Sequence, residues 1–205
     1  MKRIYSLTLA LLLILPSLAF GAEGFPRTLA GITLGDNMDQ YTDLCKGGIP
    51  TPMPDAPFLS EIHIDPDSIP GIRGGSITYT NSTPSKKVVR IKLKFHEKRQ
   101  DLFEELLDKY QKAYKRPDSY RGDSFRNVIA WQWDFTQDKE RIGLLLMWSR
   151  ERQLRPGVSI KMTLDSLVDA EYKAFRARHK KLSKGSRAGK EGPSRIKNLN
   201  EFVPR

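Results

Sequence analysis

The sequence predicts an α+β fold in which helices pack against a twisted, largely antiparallel sheet. Val89 to Phe95 alternates apolar and charged residues at every position, which is the pattern of a half-buried strand. Leu102 to Tyr114 instead repeats its apolar residues at helical spacing, and Pro117 prevents the helix from continuing. Around these two segments the predicted order is helix, three strands, helix, three strands, helix.

The first half of the chain contains a predicted helix that Asp36 or Asn37 can cap and that Gly47-Gly48 ends. In the strand that follows, Ile62 and Ile64 share one face. The predicted elements are a short strand over 28–34, a helix over 38–46, an irregular loop over 50–57, a strand over 60–65, turns over 66–75, and strands over 76–80 and 89–95.

The second half repeats this order. Its predicted elements are a helix over 102–114, strands over 128–135, 142–148 and 158–164, and a last helix that begins at 165–166. Residues 142–148 are apolar on both faces, which predicts a strand inside the sheet. We expect the last helix to turn Val168, Tyr172 and Phe175 inward and to pass into a basic tail near His179.

Two units, 28–96 and 100–164, align at an offset of 67 residues. Pro50 then falls on Pro117, and Ile62-His63-Ile64 falls on Ile129-Ala130-Trp131. This is a repeat of pattern, which predicts two fused units in one domain, 22–177.

A tandem unit of one helix and three strands resembles the β-lactamase-inhibitor-protein family, and a single unit looks like the small outer-membrane-assembly lipoproteins. The resemblance covers roughly residues 28–165 and is one of pattern, with no binding residue carried over. It implies an exported module that binds another protein through one sheet face and performs no catalysis.

The N-terminus has the pattern of a cleavable signal peptide over residues 1–21. Lys2 and Arg3 precede an uncharged apolar run over 7–20, and Ala19 and Gly21 supply the small residues needed at the cleavage site. An uncleaved anchor is the alternative. We expect an exported protein, periplasmic or secreted, without a transmembrane span in the mature chain, and we expect no nucleic-acid partner.

The formal charge of +11 is concentrated at the two ends of the chain. The signal peptide carries +2 and residues 176–205 carry +8, so +1 remains for residues 22–175. The segment 178–205 is poor in apolar residues and is predicted to be a disordered basic tail. Its expected counter-charge is anionic lipid or a wall polymer, with a purely solubilising role as the alternative.

The single cysteine, Cys45, excludes an internal disulfide. Its place in the apolar pattern of the first helix favours a buried small side chain over a reactive thiol. Trp131, Trp133 and Phe135 share one strand face with Trp148 on the next strand. This row predicts core facing a helix, with a carbohydrate-stacking or interface surface as the alternative.

Arg90, Lys92, Lys94 and His96 form a basic stripe along one strand face. Such a stripe is a candidate binding site for an anionic surface, such as a phosphate-bearing glycan or an acidic protein patch. The alternative is a solvated face whose charges keep the sheet from pairing edge to edge.

Glu61, His63 and Asp65 alternate along another strand and would project from one face. Two carboxylates and an imidazole at this spacing are candidate ligands for a divalent metal. A solvent-exposed face beside a turn is the simpler interpretation.

The leading functional prediction is an exported, non-catalytic protein that binds a protein or an anionic component of the envelope, without a cofactor. One alternative is a metal-dependent or hydrolytic enzyme centred on Glu61, His63 and Asp65. Another is an envelope scaffold that its basic tail tethers. No nucleophile is paired with a base by motif in this sequence.

Overall fold

The computed structural model describes residues 25–82, 84–151 and 156–185. The predicted signal peptide and the predicted tail beyond residue 185 lie outside these ranges. Among the helices formed by the described residues, none combines the length and the apolar content that a membrane crossing requires.

In these ranges the chain forms ten strands, two α-helices and two 3₁₀ helices. Their order is β1 (Thr28–Leu29), β2 (Ile32–Thr33), a 3₁₀ helix (Met38–Cys45), β3 (Thr51–Met53), β4 (Ala56–Ile64), a 3₁₀ turn (Pro66–Ser68), β5 (Ile72–Thr80), β6 (Val88–Phe95), α1 (Gln100–Tyr114), β7 (Ser119–Tyr120), β8 (Val128–Gln137), β9 (Glu140–Ser149), β10 (Gly157–Leu164) and α2 (Asp165–Gly185).

Strands β3 to β10 form one antiparallel sheet in the order β3-β4-β5-β6-β10-β9-β8-β7. Each half of the chain contributes a four-strand meander, and the two meanders meet where β6 pairs with β10. The predicted α+β fold with a largely antiparallel sheet is therefore confirmed. The segments that align at the 67-residue offset occupy equivalent strands, β4 with β8 and β5 with β9. Each unit also has a short edge strand beyond the predicted three.

The main core lies on one face of this sheet. On that face, one residue from each of six neighbouring strands lies directly opposite the next, and together they form an apolar row. Its members, all buried, are Ile62, Ile77, Ile91, Met162, Leu144 and Trp133. This row joins both halves of the chain in one cluster. Burying a side chain of this size contributes about 1.5–3 kcal/mol, so the core stabilises both halves together.

Two helices cover the core face. The first 3₁₀ helix buries Met38 and Tyr41 against the first meander, and α1 buries Phe103 against the second. The Trp133 indole meets the ring of Tyr110 edge-on and donates its Nε1 hydrogen to the Lys115 carbonyl, 3.2 Å away. The end of α1 is thus fixed to the middle of β8.

The prediction of one strand over residues 28–34 is wrong. Ala30 and Gly31 both have positive φ, at 50° and 81°, and they turn the chain back into a hairpin of β1 and β2. The apolar alternation of this segment is real, because Ile32 and Leu34 are buried. A two-residue turn within the pattern does not change that periodicity.

Two segments predicted to be irregular contain strands. β3 lies within the predicted loop over 50–57 and pairs with β4 at the sheet edge, where Pro52 need not donate a backbone hydrogen. β5 begins at Ile72, inside the predicted turn region 66–75, with a register shift before Gly74, whose φ is 148°. A bulge accommodates the glycine-rich sequence without ending the strand.

The last helix is longer than predicted. α2 continues through Gly185, so the first eight residues of the predicted tail, 178–185, are helical. Val168 and Phe175 pack inward as predicted, whereas Tyr172 stays 46% exposed although its ring contacts Phe58. The basic residues that begin the predicted tail are therefore ordered along a helix.

We expect the two halves to unfold together. All three tryptophans lie on β8 and β9, in the second half, while Ile77 is fully buried in the first half. Because both belong to one cluster, Ile77→Ala should lower the free energy of unfolding by about 2–5 kcal/mol as reported by tryptophan fluorescence in urea.

The control is Ile49→Ala, since Ile49 is 79% exposed and its truncation should leave the midpoint nearly unchanged. Separate midpoints for far-UV circular dichroism and tryptophan fluorescence would show that the halves unfold independently.

Candidate functional site

The two faces of the sheet differ in how they are covered. The core face lies beneath the first 3₁₀ helix and α1, as described above. On the opposite face, α2 packs through Leu167, Val168 and Phe175 on a small separate cluster of Phe58, Leu59 and Val89. Side chains that alternate with the core row project from this second face.

One row on the second face is made of directly opposed partners from six neighbouring strands. The row consists of His63, Ser76, Lys92, Lys161, Leu145 and Gln132. Lys92 and Lys161 are cross-strand partners at the junction of the two meanders. Directly opposed side chains of an antiparallel pair lie about 4.5–5.5 Å apart at Cβ, so the two lysine side chains leave the sheet next to each other.

Two further cations lie beside this pair on β6. Lys94 is opposite Ser159, and Arg90 is opposite Thr163, to whose Oγ1 the Arg90 Nε donates a hydrogen bond of 3.3 Å. All four side chains are half-buried. We call Arg90, Lys92, Lys94 and Lys161 the cationic face. Three of the four predicted stripe residues thus share one surface at the centre of the sheet.

The fourth predicted residue, His96, follows β6 and is exposed, with its backbone nitrogen donating to the Gly71 carbonyl at 3.0 Å. Sequence reasoning missed Lys161. A signal for it exists, because Lys161 is the only charged residue in the apolar strand from Val158 to Leu164. A lysine is seldom fully buried, so a lysine retained in a central strand marks a position where part of the side chain reaches solvent or a polar partner.

Acidic groups on this face lie in the row of Arg90, next to α2. That row runs from Glu61 through Thr78, Arg90, Thr163 and Gly143 to Asp134. The rows of Lys92 and Lys94 contain no carboxylate among these paired positions.

The three predicted metal ligands do not come together. Glu61 and His63 project from β4, but Asp65 lies beyond the strand and accepts a hydrogen bond from the Asp67 backbone nitrogen at 3.0 Å. In the described part of the chain, no group of three His, Cys, Asp or Glu side chains is arranged to hold a metal ion.

The tryptophan row is core, as predicted. Trp133 is buried, and Trp131, Phe135 and Trp148 are partly buried against the main cluster. Cys45 is also buried, and this burial raises the pKa of its thiol.

The Asp165 carboxylate rests over Gly143 at the border between α2 and the cationic face. A Cβ on Gly143 would lie 3.0 Å from Asp165 Oδ2, so the missing side chain makes room for this carboxylate. Burial raises the pKa of Asp165, and Asp134 and Asp169 raise it further, while Arg141 and Arg90 oppose the shift.

This raised pKa gives the folded state a pH dependence. Because Asp165 holds its proton more tightly when folded, its contribution to stability is present at low pH and is lost as pH rises through the folded pKa. We expect wild type to gain stability relative to Asp165→Asn as the pH falls from 7 towards 3.8, the ordinary pKa of an aspartate, measured from urea midpoints.

Asp101→Asn serves as the control, since it removes one exposed carboxylate from the start of α1. A stability difference between wild type and Asp165→Asn that stays constant from pH 7 down to pH 3.8 would contradict the assignment.

No protein-family model matches the chain, and no curated protein or solved structure matches it significantly. The likeness to the inhibitor family and to the assembly lipoproteins therefore rests on the order of helices and strands alone.

Proposed function

We propose that this chain is an exported, non-catalytic binding protein whose cationic face docks on an acidic surface of another protein. The observation that carries the proposal is the direct opposition of Lys92 and Lys161 at the junction of the two meanders. An acidic group held above the pair interacts favourably with both charges at once.

The position of the four cations supports a protein partner. They lie on two adjacent central strands, so the rigid sheet fixes their spacing before any partner arrives. Preorganised charges of this kind lower the entropic cost of binding and give specificity for a matching pattern of carboxylates.

The neighbouring side chains support the same class of partner. Lys161 is opposite the half-buried Leu145 on β9. An aliphatic side chain next to cations gives a mixed surface, as in typical protein interfaces. A ligand made only of phosphates would make no apolar contact with Leu145.

Export is supported by the N-terminal pattern of two cations, a short apolar run and small residues at the cleavage site. In that setting, the expected partner is a secreted or envelope protein.

The proposal is tested with the mature chain and poly-L-glutamate as a model acidic polypeptide. Lys92→Gln with Lys161→Gln should weaken binding by about tenfold, because each ion pair is worth up to about 1 kcal/mol. Raising the salt from 150 to 500 mM should weaken wild-type binding, because the added ions screen the attraction between each cation and the carboxylates.

The matched control is Lys109→Gln with Lys112→Gln, which removes the same charge from the exposed side of α1. The basic C-terminal residues are present in every variant and set a common background. Lysine acetylation followed by mass spectrometry then locates the contact. Protection confined to lysines outside the cationic face, or equal binding by both double variants, would refute the proposal. Binding of inorganic polyphosphate but not of poly-L-glutamate would also refute it.

A further inference from the structure

A second cationic surface lies on α2, separate from the cationic face. The apolar side of α2 is docked on Phe58, Leu59 and Val89 through Leu167, Val168 and Phe175. Lys173, Arg176 and Lys180 are spaced by three and four residues, so they share another side of the helix, and all three are exposed. We call these three residues the basic helix side.

Charge is polarised along α2. Its first seven residues contain three acids, Asp165, Asp169 and Glu171, and two of these are engaged locally, Asp169 with Arg141 and Glu171 with Ser82. From residue 172 to residue 185 the helix contains six Lys or Arg residues and no Asp or Glu. The acids anchor one end of the helix to the domain, and the other end carries net positive charge.

The basic end is held against the domain. The Arg178 guanidinium donates to the Ser82 carbonyl at 3.0 Å, and the Phe175 ring packs against Phe58 and against His179. The basic helix side is therefore presented in a fixed direction. Tyr172, 46% exposed with the Arg176 guanidinium 5.7 Å from its ring centroid, lies at its start.

We infer that the basic helix side binds the surface of a membrane that contains anionic phospholipid. Lysine and arginine side chains near such a surface are each attracted by its negative potential, and no pocket is required. Tyrosine is enriched at the level of lipid headgroups, which fits an exposed Tyr172 beside Arg176. Because the apolar side of α2 is occupied by the domain, binding is electrostatic and reversible by salt.

The surface fits a lipid plane better than an acidic protein patch. Three exposed cations follow one line along the helix, and the residues after it add further positive charge in the sequence, Arg187, Lys190, Arg195 and Lys197 among them. A continuous anionic plane can contact all three cations of such a line together. The inference is independent of the proposed function, since it involves a different surface.

The test is co-sedimentation of the mature chain with phosphatidylcholine vesicles that contain about a third phosphatidylglycerol, at low and at physiological salt. Lys173→Gln with Arg176→Gln should lower vesicle binding at least tenfold. Each cation near an anionic surface raises the binding constant by somewhat less than tenfold, and the variant removes two cations. Lys92→Gln with Lys161→Gln and Lys109→Gln with Lys112→Gln remove the same charge elsewhere and should bind vesicles nearly as wild type does.

All three double variants keep the domain core intact, because their side chains are exposed or half-buried polar groups. Far-UV circular dichroism confirms the helix content. Full vesicle binding by the Lys173→Gln, Arg176→Gln variant would overturn the inference, as would equal binding to pure phosphatidylcholine or a loss confined to the Lys92→Gln, Lys161→Gln variant. Failure of poly-L-glutamate binding would refute the proposed function and leave this inference in place.

Discussion

The pairing of β6 with β10 is the constraint on which the rest of the structure depends. Among the described strands, it is the pairing that joins the two meanders, and it opposes Ile91 to Met162 on one face and Lys92 to Lys161 on the other. A slip of one residue in either strand would turn its lysines into the core and its apolar side chains to the opposite face. The register that completes the core therefore also assembles the cationic face.

The arrangement of helices follows from this division of the sheet. The first 3₁₀ helix and α1 cover the apolar row. On the other face, α2 packs on Phe58, Leu59 and Val89, and its first turns also contact β9. Beyond that cluster the second face is occupied by half-buried cations, hydroxyls and a few aliphatic groups. The cationic face is formed by the two central strands beside that cluster.

Local sequence patterns were sufficient to predict the regular helices and strands. They were insufficient to predict features that depend on which elements lie side by side in the fold. The alternation around Ile91 predicted β6, and the helical spacing around Phe103 predicted α1, because each side chain pattern matches the period of one element. The hairpin at Ala30 was missed because a two-residue turn preserves the alternation of the flanking residues. β3 was missed because its proline is compatible with a strand only at an edge, which is a property of the whole sheet.

The candidate site shows the same limit. The stripe of Arg90, Lys92 and Lys94 follows from one strand, whereas the contribution of Lys161 depends on which strand lies beside β6. Likewise, nothing local indicates that Gly143 leaves room for a carboxylate from the start of α2. Contacts between distant residues are decided by register and topology, and a single sequence specifies these only through the whole fold.

The two outer strands of the sheet disfavour association between molecules in concentrated solution. One edge is β3, three residues with Pro52 in the middle, and the other is β7, two residues long. Both offer few unpaired backbone groups to a neighbouring chain, and very short or proline-containing edges resist edge-to-edge association. The sheet therefore ends at β3 and β7 instead of continuing into a neighbouring molecule.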